Sequence, residues 1–214
     1  MPGSRIGNGK RLRVSYYHGM SINDGQVTIC MSDPETYEIW RKQARLVHEL
    51  IGGKRYLLSM DEIRAGGTCE ACCARGLSMA EILGDCISRQ AKMLRDVNPE
   101  ADVLMWSDML DPNHNAHGDY YLVDGDFTGS WNFIPRDLAI MCWYYARRYA
   151  SLAHFSGLGF RTFAGAYYDG DTLDNPEGWL EALEGTPNAS GIMYTTWQSR
   201  YALLAVFGDL VSAG

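Results

Sequence analysis

Six short apolar runs recur along the chain, at Leu12 to Tyr17, Arg55 to Met60, Asp102 to Trp106, Leu138 to Trp143, Arg161 to Ala166 and Gly191 to Thr196. Most are too continuously apolar for a sheet with one wet face, which is how buried parallel strands read. Between them the apolar period lengthens to that of a helix. Ser32-Asp33-Pro34-Glu35 is a helix start, with a capping residue, a proline in the first turn and an early acid. Tyr37, Trp40, Ala44, Val47 and Ile51 then follow at helical spacing. Ser78-Met79-Ala80-Glu81 has the form of a capping box. Met79, Ile82, Leu83, Cys86, Leu94 and Val97 fall on one face behind it, and Asn98-Pro99 stops the helix. Weaker helical patterns cover Tyr145 to Phe155, Pro176 to Glu184 and Ser199 to Val211.

Strands alternating with helices imply an α/β fold with a parallel sheet and right-handed crossovers. The sheet could be open and doubly wound, or closed as a (β/α) barrel. A doubly wound nucleotide fold carries a glycine-rich turn after its first strand. Gly7-Asn8-Gly9-Lys10 precedes a strand instead, and neither a P-loop nor a dinucleotide fingerprint is present. A barrel gathers its chemistry at the C-terminal strand ends. Those ends are chemically rich here: Asp61-Glu62, Ser107-Asp108, Trp143-Tyr144, Tyr167-Tyr168-Asp169 and Trp197-Gln198. A TIM-type barrel is therefore expected, with residues 1–11 as a flexible N-terminal segment and 12–214 as one catalytic domain.

Composition narrows the partners. The net charge of −7 disfavours nucleic acid, which needs a clustered basic surface. Lys10-Arg11-Leu12-Arg13 is the only dense basic run and reads as a solvated tail. No apolar stretch approaches the roughly 18 residues of a membrane span. The opening Met1-Pro2-Gly3-Ser4-Arg5 lacks a signal peptide's apolar core. A soluble, cytoplasmic protein is expected, unless the chain belongs to a longer one. Of six cysteines, Cys86 and Cys142 lie in apolar patterns and read as core thiols. Cys69-Glu70-Ala71-Cys72-Cys73 contains one C-x2-C step. No second C-x2-C or H-x3-H follows at zinc-finger spacing, so neither metal nor cofactor is expected.

Carboxylates among Trp and Tyr are what sugar hydrolysis requires. One protonated acid assists the leaving oxygen, a second group stabilises the anomeric carbon, and aromatic faces hold the sugar's C–H surfaces. Adjacent acids on a strand point to opposite faces, so Asp61 and Glu62 both reach one pocket only where the strand gives way to a loop. Asp108 could bind sugar hydroxyls, orient Glu62 or cap a helix, and Asp169 could be a second catalytic carboxylate. Arg64 could pair with Asp61, with a substrate carboxylate, or in an ordinary salt bridge. His18 could line the pocket or be structural. Asp111, His114, His117 and Asp119 could hold a metal, but Pro112 and the nearby asparagines favour a surface turn. Ser59 and Ser107 lack His-Asp partners at a recognisable spacing. Asn188-Ala189-Ser190 is a sequon of a kind that arises readily by chance.

The segments Tyr56 to Arg64 (YLLSMDEIR), Val103 to Met109 (VLMWSDM) and Ile192 to Gln198 (IMYTTWQ) resemble strand ends of family 20-like glycoside hydrolases, particularly a group of bacterial members, and the similarity runs from about Val14 to Phe207. In family 20 β-N-acetylhexosaminidases an Asp-Glu pair closes the fourth barrel strand, the Glu as general acid and the Asp orienting the substrate's 2-acetamido nucleophile. The resemblance implies Glu62 as the acid and Asp61 as its partner. Trp106, Trp143 and Trp197 would wall the pocket, and Tyr168 or Tyr194 would hydrogen-bond the acetamido oxygen. The family's His-x-Gly-Gly before the acidic pair is replaced by Leu58-Ser59-Met60, so glycosidase chemistry transfers more directly than N-acetyl specificity. It also implies that Leu12 to Tyr17 is strand three, leaving about six of eight strand–helix units, against about 250 residues for a whole barrel. A homo-oligomer completing the partial barrel is one expected consequence. Two other readings stand beside the glycosidase acting on a β-linked sugar: a non-catalytic carbohydrate-binding remnant, and a metal-dependent hydrolase using the His/Asp loop or the cysteines.

Overall fold

The computed structural model describes residues 7, 9–13, 21–22 and 26–212. A two-residue antiparallel pair, β1 (Ser21–Ile22) and β2 (Gln26–Val27), leads into α1 (Pro34–Ile51). Asp33 caps α1 by accepting the Glu35 N–H at 2.9 Å, and Gly52 ends it in the left-handed conformation at φ 66°. Next come β3 (Arg55–Leu58), the two-residue β4 (Ala65–Gly66), the single turn α2 (Glu70–Cys73) and α3 (Met79–Val97). The Ser78–Glu81 capping box forms in both directions, at 3.2 and 2.8 Å, and Asn98 is the C-cap of α3. The remainder is β5 (Asp102–Trp106), β6 (Leu122–Val123), β7 (Ala139–Cys142), α4 (Arg148–Gly157), β8 (Arg161–Tyr167), α5 (Asp174–Glu184), β9 (Ala189–Thr195) and α6 (Leu204–Ser212).

Five strands form one parallel sheet in the order β3-β5-β7-β8-β9, curled into a half barrel. Alternation along each strand separates two cores. Val103, Met105, Ile140, Cys142, Ala164 and Ala166 face the helices and join Leu83, Ile87, Phe155 and Trp179 in the main core. Leu104, Trp106, Ala139, Met141 and Phe163 form the second core on the concave face. At its N-terminal end, Asp102 accepts hydrogen bonds from Arg55 at 2.9 Å and Arg161 at 2.5 Å, joining three strands.

Five of the six expected runs are strands of this sheet. The sixth lies largely outside the described residues, since 14–20 are not among them, and His18 falls there too. The second run stops being strand at Leu58, so Ser59 and Met60 already belong to the loop bearing the acidic pair. The final helix starts at Leu204, five residues after its expected start, because Arg200 N–H donates to Thr196 Oγ1 and keeps that stretch in the preceding loop. The parallel pairing of β4 with β6 is an addition no periodicity announces. Among the described residues, no helix is long and apolar enough to cross a membrane.

Candidate functional site

The C-terminal strand ends enclose a cavity of about 180 Å³, lined by Asp61, Glu62, Trp106, Trp143, Tyr168, Thr195 and Trp197. Six of these seven are residues expected to meet there; Thr195 is the addition. A second concavity of about 360 Å³ adjoins it, between Thr28–Met31 on one side and Ser59–Arg64 on the other. Asp61 and Glu62 line both.

The acidic pair reaches the cavity because the chain has left the strand. Glu62 takes φ 47°, a left-handed turn that breaks the alternation which would send the two acids to opposite faces. The loop is then fixed at its far end. Leu122 N–H donates to Arg64 O and Asp124 N–H to Gly66 O, both at 2.9 Å. Ser59 Oγ donates to Asp61 Oδ1 at 3.0 Å, and Arg64 Nη2 pairs with Glu62 Oε2 at 2.5 Å. The Arg64 guanidinium also lies 5.5 Å over the Tyr121 ring.

Beneath this loop Asp108 is wholly buried. Its Oδ2 accepts the Glu62 backbone N–H at 2.8 Å and Asn115 Nδ2 at 3.0 Å; its Oδ1 accepts Trp143 Nε1 at 3.4 Å. One carboxyl group therefore joins the acidic loop, the aromatic wall and the loop after β5. Burial pushes its pKa up to about 7 and the nearby Asp61 charge adds to this, while the three donors pull the other way.

On the opposite wall, Tyr167, Tyr168 and Asp169 all have left-handed φ, at 78°, 52° and 60°. Each such non-glycine residue costs roughly 1–2 kcal/mol, so the turn persists only because its neighbours over-determine it. Tyr167 N–H donates to Asn175 Oδ1 at 2.8 Å and Tyr168 N–H to Thr195 O at 3.2 Å. Asp169 accepts Thr196 Oγ1, Trp197 N–H at 2.7 Å and Gln198 N–H at 3.2 Å. The result holds Tyr168 nearly parallel to Trp143, 13° between planes with centroids 5.9 Å apart, and sets Trp197 6.4 Å from Trp106.

Five expected site residues are absent from the cavity lining: Asp108, which lies buried beneath it, and Arg64, Asp169, Tyr194 and Gln198. Asp169 spends its carboxylate on the 196–198 loop, and Gln198 joins that contact through its backbone. Tyr194 faces the helices, stacked on Tyr167 at 4.1 Å and packed against Phe207, because its neighbour Thr195 takes the cavity side. Arg64 lines the adjoining groove. The surface turn expected at 111–119 is only partly one: His117 and Asp119 are exposed, but Asp111 is fully buried and accepts the Asn113 N–H at 2.8 Å. Asn115 had no sequence signal, since its role depends on a contact with Asp108 seven residues back. Compared with known proteins, the chain matches no family model and no curated protein.

Proposed function

We propose that this protein is a glycoside hydrolase acting on a β-linked sugar, with Glu62 as general acid and Asp61 as its partner. The observation that carries this reading is one cavity in which both carboxylates meet Trp106, Trp143, Tyr168 and Trp197. Carboxylates supply proton transfer and stabilise positive charge at the anomeric carbon, and aromatic faces hold apolar sugar faces. The resemblance of the strand ends to family 20-like hydrolases points the same way, and the half barrel fits part of a TIM-type (β/α) barrel. A cavity of about 180 Å³ is smaller than the roughly 300–1,000 Å³ of drug-sized sites. It suits one sugar ring, and hence removal of a terminal residue. The adjoining groove, which shares both carboxylates, would take the leaving group.

In this scheme Glu62 protonates the glycosidic oxygen as the bond breaks, and Asp61 stabilises the developing charge or orients a 2-acetamido group. Asp108 is a positioning residue, since it holds Glu62 through the backbone. Arg64 fixes the orientation of the Glu62 side chain from the groove side, and the leaving group would displace this pair as Glu62 turns to the glycosidic oxygen. The test is release of 4-nitrophenol from a panel of glycosides, N-acetylglucosaminide, glucoside and galactoside, by wild type and Glu62→Gln in parallel. Release by wild type and its loss in the variant supports the assignment. Equal release by both removes Glu62 from the chemistry.

One observation favours the second reading, a carbohydrate-binding remnant. Leu57, on the concave side of edge strand β3, remains 36% exposed, so that face of the sheet stays uncovered there. Strands from further sequence or from a second copy would close it. Sugar binding without release from any glycoside identifies this case, and size-exclusion chromatography with light scattering shows whether copies pair.

A further inference from the structure

The three cysteines closest in space come from two distant parts of the chain. Cys30 lies just before α1, and Cys69 and Cys72 cap and end the first turn of α2. Cys30 Sγ is 3.3 Å from Cys69 Sγ and 3.8 Å from Cys72 Sγ, and all three sulfurs lie within 4.8 Å of one another. Among the described residues this is the only group of three or more Cys, His, Asp or Glu with such convergence. A zinc ion with Zn–S bonds of about 2.3 Å needs sulfur–sulfur edges of roughly 3.8 Å in a tetrahedron. The observed separations need only small rotations about χ1 to meet that.

We infer that Cys30, Cys69 and Cys72 form a zinc site that clamps the segment before α1 to α2, with water as the fourth ligand. The surroundings suit thiolates. Ser32 N–H donates to Cys30 Sγ and Cys72 N–H to Cys69 Sγ, both at 3.4 Å, and the Ser32 hydroxyl lies 3.3 Å from Cys72 Sγ. Three thiolates this close repel one another, and a divalent cation removes that repulsion. Binding releases three protons, leaves the site with a net charge of minus one, and weakens as pH falls. Cys73 turns away, donating to Gly67 O at 3.3 Å, and takes no part.

The clamp would lie outside the proposed reaction, because none of the three thiols lines the aromatic cavity. It would still govern that cavity's shape. Thr28, Ile29 and Met31, which flank Cys30, form one wall of the groove beside Asp61 and Glu62, and the acidic loop runs on through β4 to Cys69. Fastening Cys30 to Cys69 and Cys72 fixes both borders of that loop.

The test is metal content of the full chain, purified under a phosphine reductant and measured by elemental mass spectrometry, with cobalt titration alongside. One zinc per chain, lost in Cys69→Ser and Cys72→Ser and kept in Cys73→Ser, is the expected result. Cobalt should give thiolate charge-transfer absorption and the strong visible bands of a tetrahedral site. Wild type that holds no metal and gives no such spectrum would overturn the inference, whatever the variants do. A Cys30–Cys69 disulfide, found by peptide mapping of unreduced protein and persisting when zinc is supplied during expression, would overturn it equally. Metal retained in folded Cys69→Ser and Cys72→Ser together would place the ion elsewhere and refute this site.

Discussion

Asp108→Asn tests whether the buried carboxyl under the acidic loop is protonated in the folded state. The substitution keeps shape and volume, and only the charge and one acceptor change. If the amide oxygen takes the place of Oδ2, the bonds from Glu62 N–H and Asn115 Nδ2 survive. The new NH2 then faces Trp143 Nε1, and a buried donor without an acceptor costs about 1–3 kcal/mol. Opposing this is the titration. A carboxyl with a pKa near 3.8 unfolded and about 7 folded favours folding when protonated, and that contribution is lost as pH rises between the two values. About three units at 1.36 kcal/mol each set the full swing at about 4 kcal/mol. Roughly 3 kcal/mol of it should fall between about pH 5 and about pH 8. The variant has no such titration. Its stability relative to wild type should therefore improve with pH by roughly 3 kcal/mol over that interval, starting from a deficit in acid. Urea unfolding followed by tryptophan fluorescence at several pH values measures the difference directly. Parallel stability curves for the two proteins would show that the three donors keep Asp108 ionised throughout, and would refute the dominance of burial.

Other consequences can be checked separately. Glu62→Gln should reduce glycoside release to background while sugar binding, read by tryptophan fluorescence, persists. Asp169→Ala should free the 196–198 loop and displace Trp197, raising KM more than it lowers kcat in glycoside assays. Ser78→Ala removes the α3 capping box and should cost about 1 kcal/mol in urea unfolding, with no effect on sugar binding. Gly84→Ala should be worse, by roughly 1–3 kcal/mol in the same assay. Its Cβ would lie 2.2 Å from Phe133 Cβ and 2.7 Å from the Phe133 carbonyl oxygen, so helix α3 must move away from that turn.

The parts of this fold that could be read from sequence are those where one physical requirement repeats. The parallel strands had to be apolar on both faces, and five of them stood out for that reason. Helices α1 and α3 carried their own start signals, Asp33-Pro34 and Ser78 with Glu81, and both signals are made of local bonds. Legibility fails where a residue's surroundings come from elsewhere in the chain. Asp108 reads equally well as a helix cap, and only the fold shows it buried beneath Glu62, 46 residues away. Asp169 follows a strand end as a catalytic acid would, but the loop after β9 supplies the three donors that occupy it. The side to which Tyr194 points follows from the exact register of β9, which a run of apolar residues does not mark. Cys30 carries no local mark of a ligand, since its nearest sulfur partner lies 39 residues on.

The cavity and the cysteine cluster depend on the same stretch of chain. Residues 59–69 leave the sheet at Leu58, present Asp61 and Glu62 at the strand ends, pair briefly as β4 and arrive at Cys69. Met60 and Ala65 are buried, and Ile63 packs against the main core, but the other residues of this stretch are not buried. Its shape depends instead on directional contacts: the Glu62 N–H to Asp108, the Arg64 carbonyl to Leu122 and the sulfurs around Cys69. A loop held this way is stable only while each partner keeps its protonation state or ligand. Ionised Asp108 binds the Glu62 N–H more tightly but is costly to keep buried, so a loop opening that hydrates it is favoured as pH rises, and loss of the clamp frees the other end of the same segment. Hydrogen-exchange protection at Glu62 and Ile63, taken relative to the intrinsic rate at each pH, should then fall after either change, and its fall there while α3 stays protected would separate local loosening of the loop from global unfolding.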